Sequence, residues 1–274
     1  MTWHFTHDKV QTIAALLHNA GTPCFAHCID YVFGDYTNQE SSEKEITEMI
    51  KQDKEILSCL KEDHITVEML AEMNQFPILE NKSPQLCTDQ LDGVLHTCYI
   101  WLHTHSLEQI QEVYNDLIVL QNEYGNPEIG FQKQEIADKF IAMVYQYAKE
   151  LQGNTDKYVM KYISEIVKLA VEQNLITLND LYTKPEKDIV GILSTHFSSW
   201  KTFEKATTII GTNQKPNHFH ISFATKKRNT IPLVAGSNGN KRISSLSDSA
   251  RNMYTQLDTY QDSTYAYIES LKKL

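Results

Sequence analysis

Apolar residues return at three- and four-residue spacing through most of this chain, and no other pattern in it is as extensive. Ile46, Met49, Ile50, Leu57 and Leu60 follow the spacing of one helix face, after a Ser42–Glu45 capping box. Residues 89–101 are strongly helical except for Gly93, with Asp89, Asp92 or Gly93, and His96 on one face. Ser106 and Gln109 start another helix carrying Leu107, Ile110, Val113, Tyr114 and Leu117, which Gly125 stops. Further helices fit 133–151, 156–174, 178–182 and 186–193, the last with Pro185 at its first turn. Such a chain stabilises itself by packing helix faces together, so the fold class expected is mostly α.

Near Trp200 the texture changes. A last short helix is predicted over 201–210, ending at Gly211. Phe219, Ile221 and Phe223 alternate with His218, His220 and Ser222, which is strand periodicity, and Ile231, Leu233 and Val234 give a second strand. Residues 236–240 read as a turn, and Ser247 caps a final helix over 250–257. The expected organisation is a helical domain over 1–210 and a small α+β extension over 211–274. The length of 274 residues and 41% hydrophobic content suit one large or two small domains.

Composition narrows the setting. No apolar run approaches the roughly 18 residues that a membrane-spanning helix needs, and residues 1–9 lack the pattern of a signal peptide. Five cysteines lack zinc-ribbon spacing, and Cys24 and Cys28 read as a lone pair of buried thiols rather than ligands. A reducing cytosol is the compartment expected. A formal charge of −10 argues against binding nucleic acid through bulk charge. A local basic cluster could still hold a small anion. Lys226, Lys227 and Arg228, following a strand, are candidates for binding phosphate, although charges also guard exposed strand edges. The pairs His103/His105 and His218/His220 have no carboxylate or Cys partner at a diagnostic spacing.

One stretch stands apart. The apolar run Ile13, Ala14, Leu16, Leu17 ends in His18-Asn19; Gly21 and Pro23 then break the helix, and His27 stands nine residues beyond His18. Local pattern alone also allows a capped core helix with incidental histidines. However, Leu17-His18-Asn19-Ala20-Gly21-Thr22-Pro23-Cys24-Phe25-Ala26-His27 resembles the His-Asp segment of the HD-domain phosphohydrolases. Phe5-Thr6-His7-Asp8-Lys9, Gly34-Asp35-Tyr36, Gln39-Glu40-Ser41, Ser83-Pro84, Asp89-Gln90-Leu91-Asp92, Lys226-Lys227-Arg228 and Pro232-Leu233-Val234 extend the likeness over most of the chain. Their order is similar to the bacterial branch related to deoxynucleoside triphosphate triphosphohydrolases.

That resemblance implies an HD-like helical bundle hydrolysing a nucleotide or other phosphate ester with a divalent metal: Mg, Mn, Fe, Ni or Zn. His18 matches the pair's His, Asn19 stands at its Asp, and Asp89 matches a later Asp ligand. An upstream His ligand belongs before the point at which this sequence begins. His27 and Glu40 match positions that line the phosphates and assist proton transfer. The relatives often associate, which implies a homo-oligomer. An amide at 19 offers a neutral oxygen where a carboxylate would bring full charge, so net ligand charge falls from about −2 to −1. Gln90 replaces a basic residue, and Gly93 replaces an aromatic. Two further readings therefore stand beside the hydrolase. One is a catalytically silent subunit that binds a nucleotide or a protein. The other is a shortened or Asp-to-Asn version of an active enzyme.

Overall fold

Helices occupy most of the places where the apolar spacing predicts them. The computed structural model describes residues 1–34, 46–71, 75–222, 227 and 229–274. Among them are fifteen α-helices and seven short strands, a mostly helical chain of α+β character. Two compact units divide it, each built from three separate stretches. The first comprises Met1–His18, Ile50–Lys149 and Lys227–Tyr260; the second Asn19–Met49, Glu150–Lys226 and Gln261–Leu274. Residues 211–274 thus contribute to both.

In the first unit, four strands lie in the order Leu117–Gln121, Pro127–Phe131, Leu233–Val234, Lys241–Arg242. The central pairing is parallel and the outer two are antiparallel. The predicted helix through Leu117 is shorter than expected. Ser106 and Gln109 form the reciprocal capping box, but the helix ends at Asn115 and Leu117 begins a strand. The run Leu117-Ile118-Val119-Leu120 is continuously apolar, so spacing alone cannot separate helix from strand there. Asp116 makes the switch: its carbonyl accepts from Gln132 N–H and its carboxylate from Lys133 N–H, closing the hairpin. Gly130 is required by packing, since a Cβ there would stand 2.7 Å from the Leu233 carbonyl oxygen. The helix Gln134–Leu151 buries Ile136, Ala137, Phe140, Met143 and Val144. They share one core with Leu91, Leu95, Ile129 and Phe131.

The face predicted over 46–60 belongs to two helices, Ile46–Gln52 and Lys54–Glu62. Asp53 divides them because it is extended and its carboxylate accepts the N–H groups of Glu55 and Ile56. Ser42 and Glu45 lie outside the described residues.

The second unit is organised on the helix Asn154–Glu172, which buries Tyr158, Tyr162, Ile166 and Val167. Tyr162 stacks on Phe203 at 4.2 Å between ring centroids, and Trp200 and Phe219 pack around it. The helix predicted over 201–210 instead runs Ser198–Glu204, and Ile210–Thr212 is a strand. This strand pairs with Tyr265–Tyr267, which pairs in turn with His220–Ile221. Strand periodicity at 219–223 therefore yields two strand residues, and Phe223 lies outside the described residues.

Candidate functional site

The helix Lys9–Leu17 begins at Asp8, whose carboxylate accepts the Gln11 N–H, and His18 follows at its end. The His18 Nδ1 lies 2.7 Å from the Ala15 carbonyl oxygen. Across the first unit, the helix Thr88–His96 carries Asp89 in its first turn, the end at which the helix dipole favours a carboxylate. The two side chains meet, with His18 Nε2 2.9 Å from Asp89 Oδ1. Both ring nitrogens therefore face acceptors, a carbonyl and a carboxylate. The side chains are 23% and 47% exposed, so the pair opens to solvent.

The residues beside Asp89 are committed elsewhere. The Gln90 amide donates to the Asn81 carbonyl at 3.2 Å and accepts from the Thr230 hydroxyl at 3.3 Å. Gly93, one turn on, leaves space into which the Tyr147 hydroxyl reaches from the neighbouring helix. Among the described residues no three His, Cys, Asp or Glu side chains are grouped to hold a metal. His18 and Asp89 supply two donors, which suits an ion completed by water or ligand oxygens rather than a closed protein shell. Asn19 is the first residue of the second unit.

His27 belongs to that second unit. Phe25 and Ala26 before it take left-handed backbone, φ 65° and 41°, with Cys24 N–H anchored on the Leu181 carbonyl. This double turn delivers His27 to the start of the helix Cys28–Phe33. The His27 Nδ1 lies 3.0 Å from Asp30 Oδ2, on a carboxylate side chain that is 0% exposed while the imidazole is 43% exposed. A buried carboxylate acceptor beside Nδ1 favours the tautomer that carries its proton there. Asp30 was not singled out from the sequence; its i,i+3 spacing from His27 was the available signal.

Other candidates have different placements. Lys227 Nζ donates to the carbonyls of Leu257, Asp258 and Tyr260, at the end of the helix Asp248–Thr259. Its charge closes that helix, and its three N–H groups are engaged there. Glu40, Lys226 and Arg228 lie outside the described residues. His103 Nδ1 pairs with the Tyr99 carbonyl, and His218 stacks on Tyr267. Burial, with help from Glu186, pushes the Cys24 thiol up to about 12, and burial with Asp156 does the same to Cys28. A buried ion pair was also missed. Glu128, fully enclosed, holds Arg242 through both carboxylate oxygens, while Leu86 N–H and Asn122 donate to the same carboxylate. Burial opposes the Arg242 charge, but Glu128 and Glu123 outweigh it and raise the pKa.

No family model matches the chain. A curated protein of Bacillus subtilis (strain 168) named "Uncharacterized protein YdhJ" is 27% identical to it over 185 residues. That match covers 67% of this chain and 54% of the relative, so the chain spans about half the relative's length. No helix among the described residues is long and apolar enough to cross a membrane.

Proposed function

We propose that this chain is an HD-type, metal-dependent phosphohydrolase of the cytosol, acting on a nucleotide or related phosphate ester, and that Asn19 lowers its activity. The observation that carries the reading is the meeting of His18 and Asp89, 71 residues apart in sequence, at 2.9 Å. These two are the residues that the resemblance marks as shared metal ligands. The Ala15 carbonyl holds Nδ1 of His18, and Nε2 faces the Asp89 carboxylate. His18 and Asp89 would hold a divalent ion there, and that ion would supply phosphate polarisation and activation of water. The resemblance gives His27 a role in proton transfer, and within the second unit Asp30 holds its imidazole.

A second reading is supported by two observations. A neutral amide stands at 19, and the Gln90 amide is occupied by Asn81 and Thr230. Both favour a silent protein that binds a nucleotide without turning it over.

The deciding experiment is elemental analysis with manganese and magnesium titration, on this chain and on Asn19→Asp, followed by a nucleotide-hydrolysis screen. The restored carboxylate is expected to tighten metal binding by about tenfold or more. Metal and hydrolysis in the unmodified chain support the phosphohydrolase. Metal only in Asn19→Asp identifies a disabled enzyme and moves the conclusion to the silent reading. Absence of metal from both sinks the metal-dependent mechanism.

A further inference from the structure

The edge strand of a sheet offers its outward N–H and carbonyl groups to any chain that can pair with them. The four-stranded sheet of the first unit ends on Leu117–Gln121 at one side and on Lys241–Arg242 at the other. The second of these is two residues long and charged, which guards it against pairing. The first is five residues long, Leu-Ile-Val-Leu-Gln, with no charge and no proline. Hydrogen bonds just beyond its two ends fix which way its backbone points. Asn122 N–H donates to the Asn126 carbonyl, and the Asp116 carbonyl accepts from Gln132 N–H. Bonded pairs alternate along an antiparallel hairpin, so Ile118 and Leu120 turn their groups inward to Gly130 and Glu128. Leu117, Val119 and Gln121 turn theirs outward. Among the described residues, the bond on that side is from the Asn240 amide to the Gln121 carbonyl, at 2.9 Å. Val119 is 39% exposed, and Tyr124 in the hairpin loop is 74% exposed.

We propose that Leu117–Gln121 is the interface through which two copies of this chain pair, antiparallel and about a two-fold axis at Val119. The pairing joins two four-stranded sheets edge to edge. The strand complements itself. Turned end for end about Val119, it sets Val119 against Val119, each N–H donating to the other carbonyl, and each Ile118 opposite a Leu120 of the second copy. No like charges meet at the seam. Asp116, before the strand, is engaged by the Gln132 and Lys133 N–H groups, and Glu123, beyond its end, by Arg242. Elsewhere the formal charge of −10 makes two copies repel, so an uncharged, self-complementary edge is where they can meet. A peptide of another sequence would find the same backbone groups without the matched side chains, which is why a second copy is the occupant assigned. This inference is independent of the phosphohydrolase reading.

The test follows sedimentation and amide exchange of the full chain across a concentration range. Sedimentation should show a two-copy species that falls apart on dilution. The Val119 N–H should exchange at least about tenfold more slowly in concentrated than in dilute solution, whereas Ile118 and Leu120 N–H, bonded inward, stay slow in both. Val119→Pro deletes one outward N–H, a change that an edge strand tolerates. It should weaken pairing at least about tenfold, because the two-fold axis counts each lost bond twice. Val119→Lys, which sets like charges directly opposite each other, should also release single copies. Urea unfolding of each variant shows whether it is folded. A chain that sediments as one copy at every concentration, with Val119 N–H exchanging freely, overturns the proposal. So does an assembly that both folded variants leave whole, or one in which the Val119 N–H stays unprotected. If neither variant folds, amide exchange in the unmodified chain decides alone.

Discussion

Burial sets what each charged residue can do. Glu128 is fully enclosed, and Arg242, only 16% exposed at its side chain, is shared between Glu128 and Glu123. Removing the arginine leaves Glu128 as an uncompensated buried charge, which costs about 3–5 kcal/mol. Arg242→Met is expected to lose at least about 3 kcal/mol in urea unfolding, with Glu128→Gln in the same chain recovering a large part. A loss under about 1 kcal/mol would mean that Glu128 reaches water when its partner is gone. His18 and Asp89 differ in kind. They are 23% and 47% exposed, so their attraction is screened and adds little to stability. Their arrangement sets acceptors on both sides of one imidazole. Asp30 stands between these cases, a buried carboxylate serving a half-exposed imidazole.

Helix ends decide more than helix middles. Ser106, Asp53 and Ser247 each accept backbone N–H groups at a helix start, and each is a residue type whose side chain competes for those groups. The end of the helix Asp248–Thr259 is closed differently, by the Lys227 ammonium on three carbonyls. Lys227→Met keeps the stem and deletes those bonds. About 1 kcal/mol of stability should be lost, and amide exchange should quicken in the last turn before Thr259. If phosphate affinity fell while exchange there stayed slow, Lys227 would be a ligand contact after all. Capping signals at Ser106 and Ser247 were legible because cap chemistry is local. The hairpin Leu117–Phe131 was not, because a run of four apolar residues satisfies helix and strand alike until Asp116 finds Gln132 and Lys133.

Across the whole molecule, two separate cores give the five cysteines unequal environments. Burial disfavours the thiolate, and it pushes Cys24, Cys28 and Cys87 up to about 12 and raises Cys98. Cys59 is exposed. At pH 8 a thiol of pKa 12 is ionised to about one part in ten thousand. Alkylation of the native chain at pH 8 should therefore modify Cys59 first, read by peptide mass spectrometry, and all five only after denaturation. Rapid labelling of Cys24 or Cys28 would show that the second unit opens readily. By itself the sequence determined the helices, several of their caps and the strand tendency after Trp200. Helical hydrogen bonds run four residues along the chain, so local spacing carries them. Tertiary structure alone decided which stretches share a core, where Leu117 turns to strand, and that Asp30 holds His27. It also set Lys227 on a helix end and the Tyr147 hydroxyl beside Gly93. Strand partners and buried neighbours are remote in sequence, and only the folded chain brings them within bonding distance.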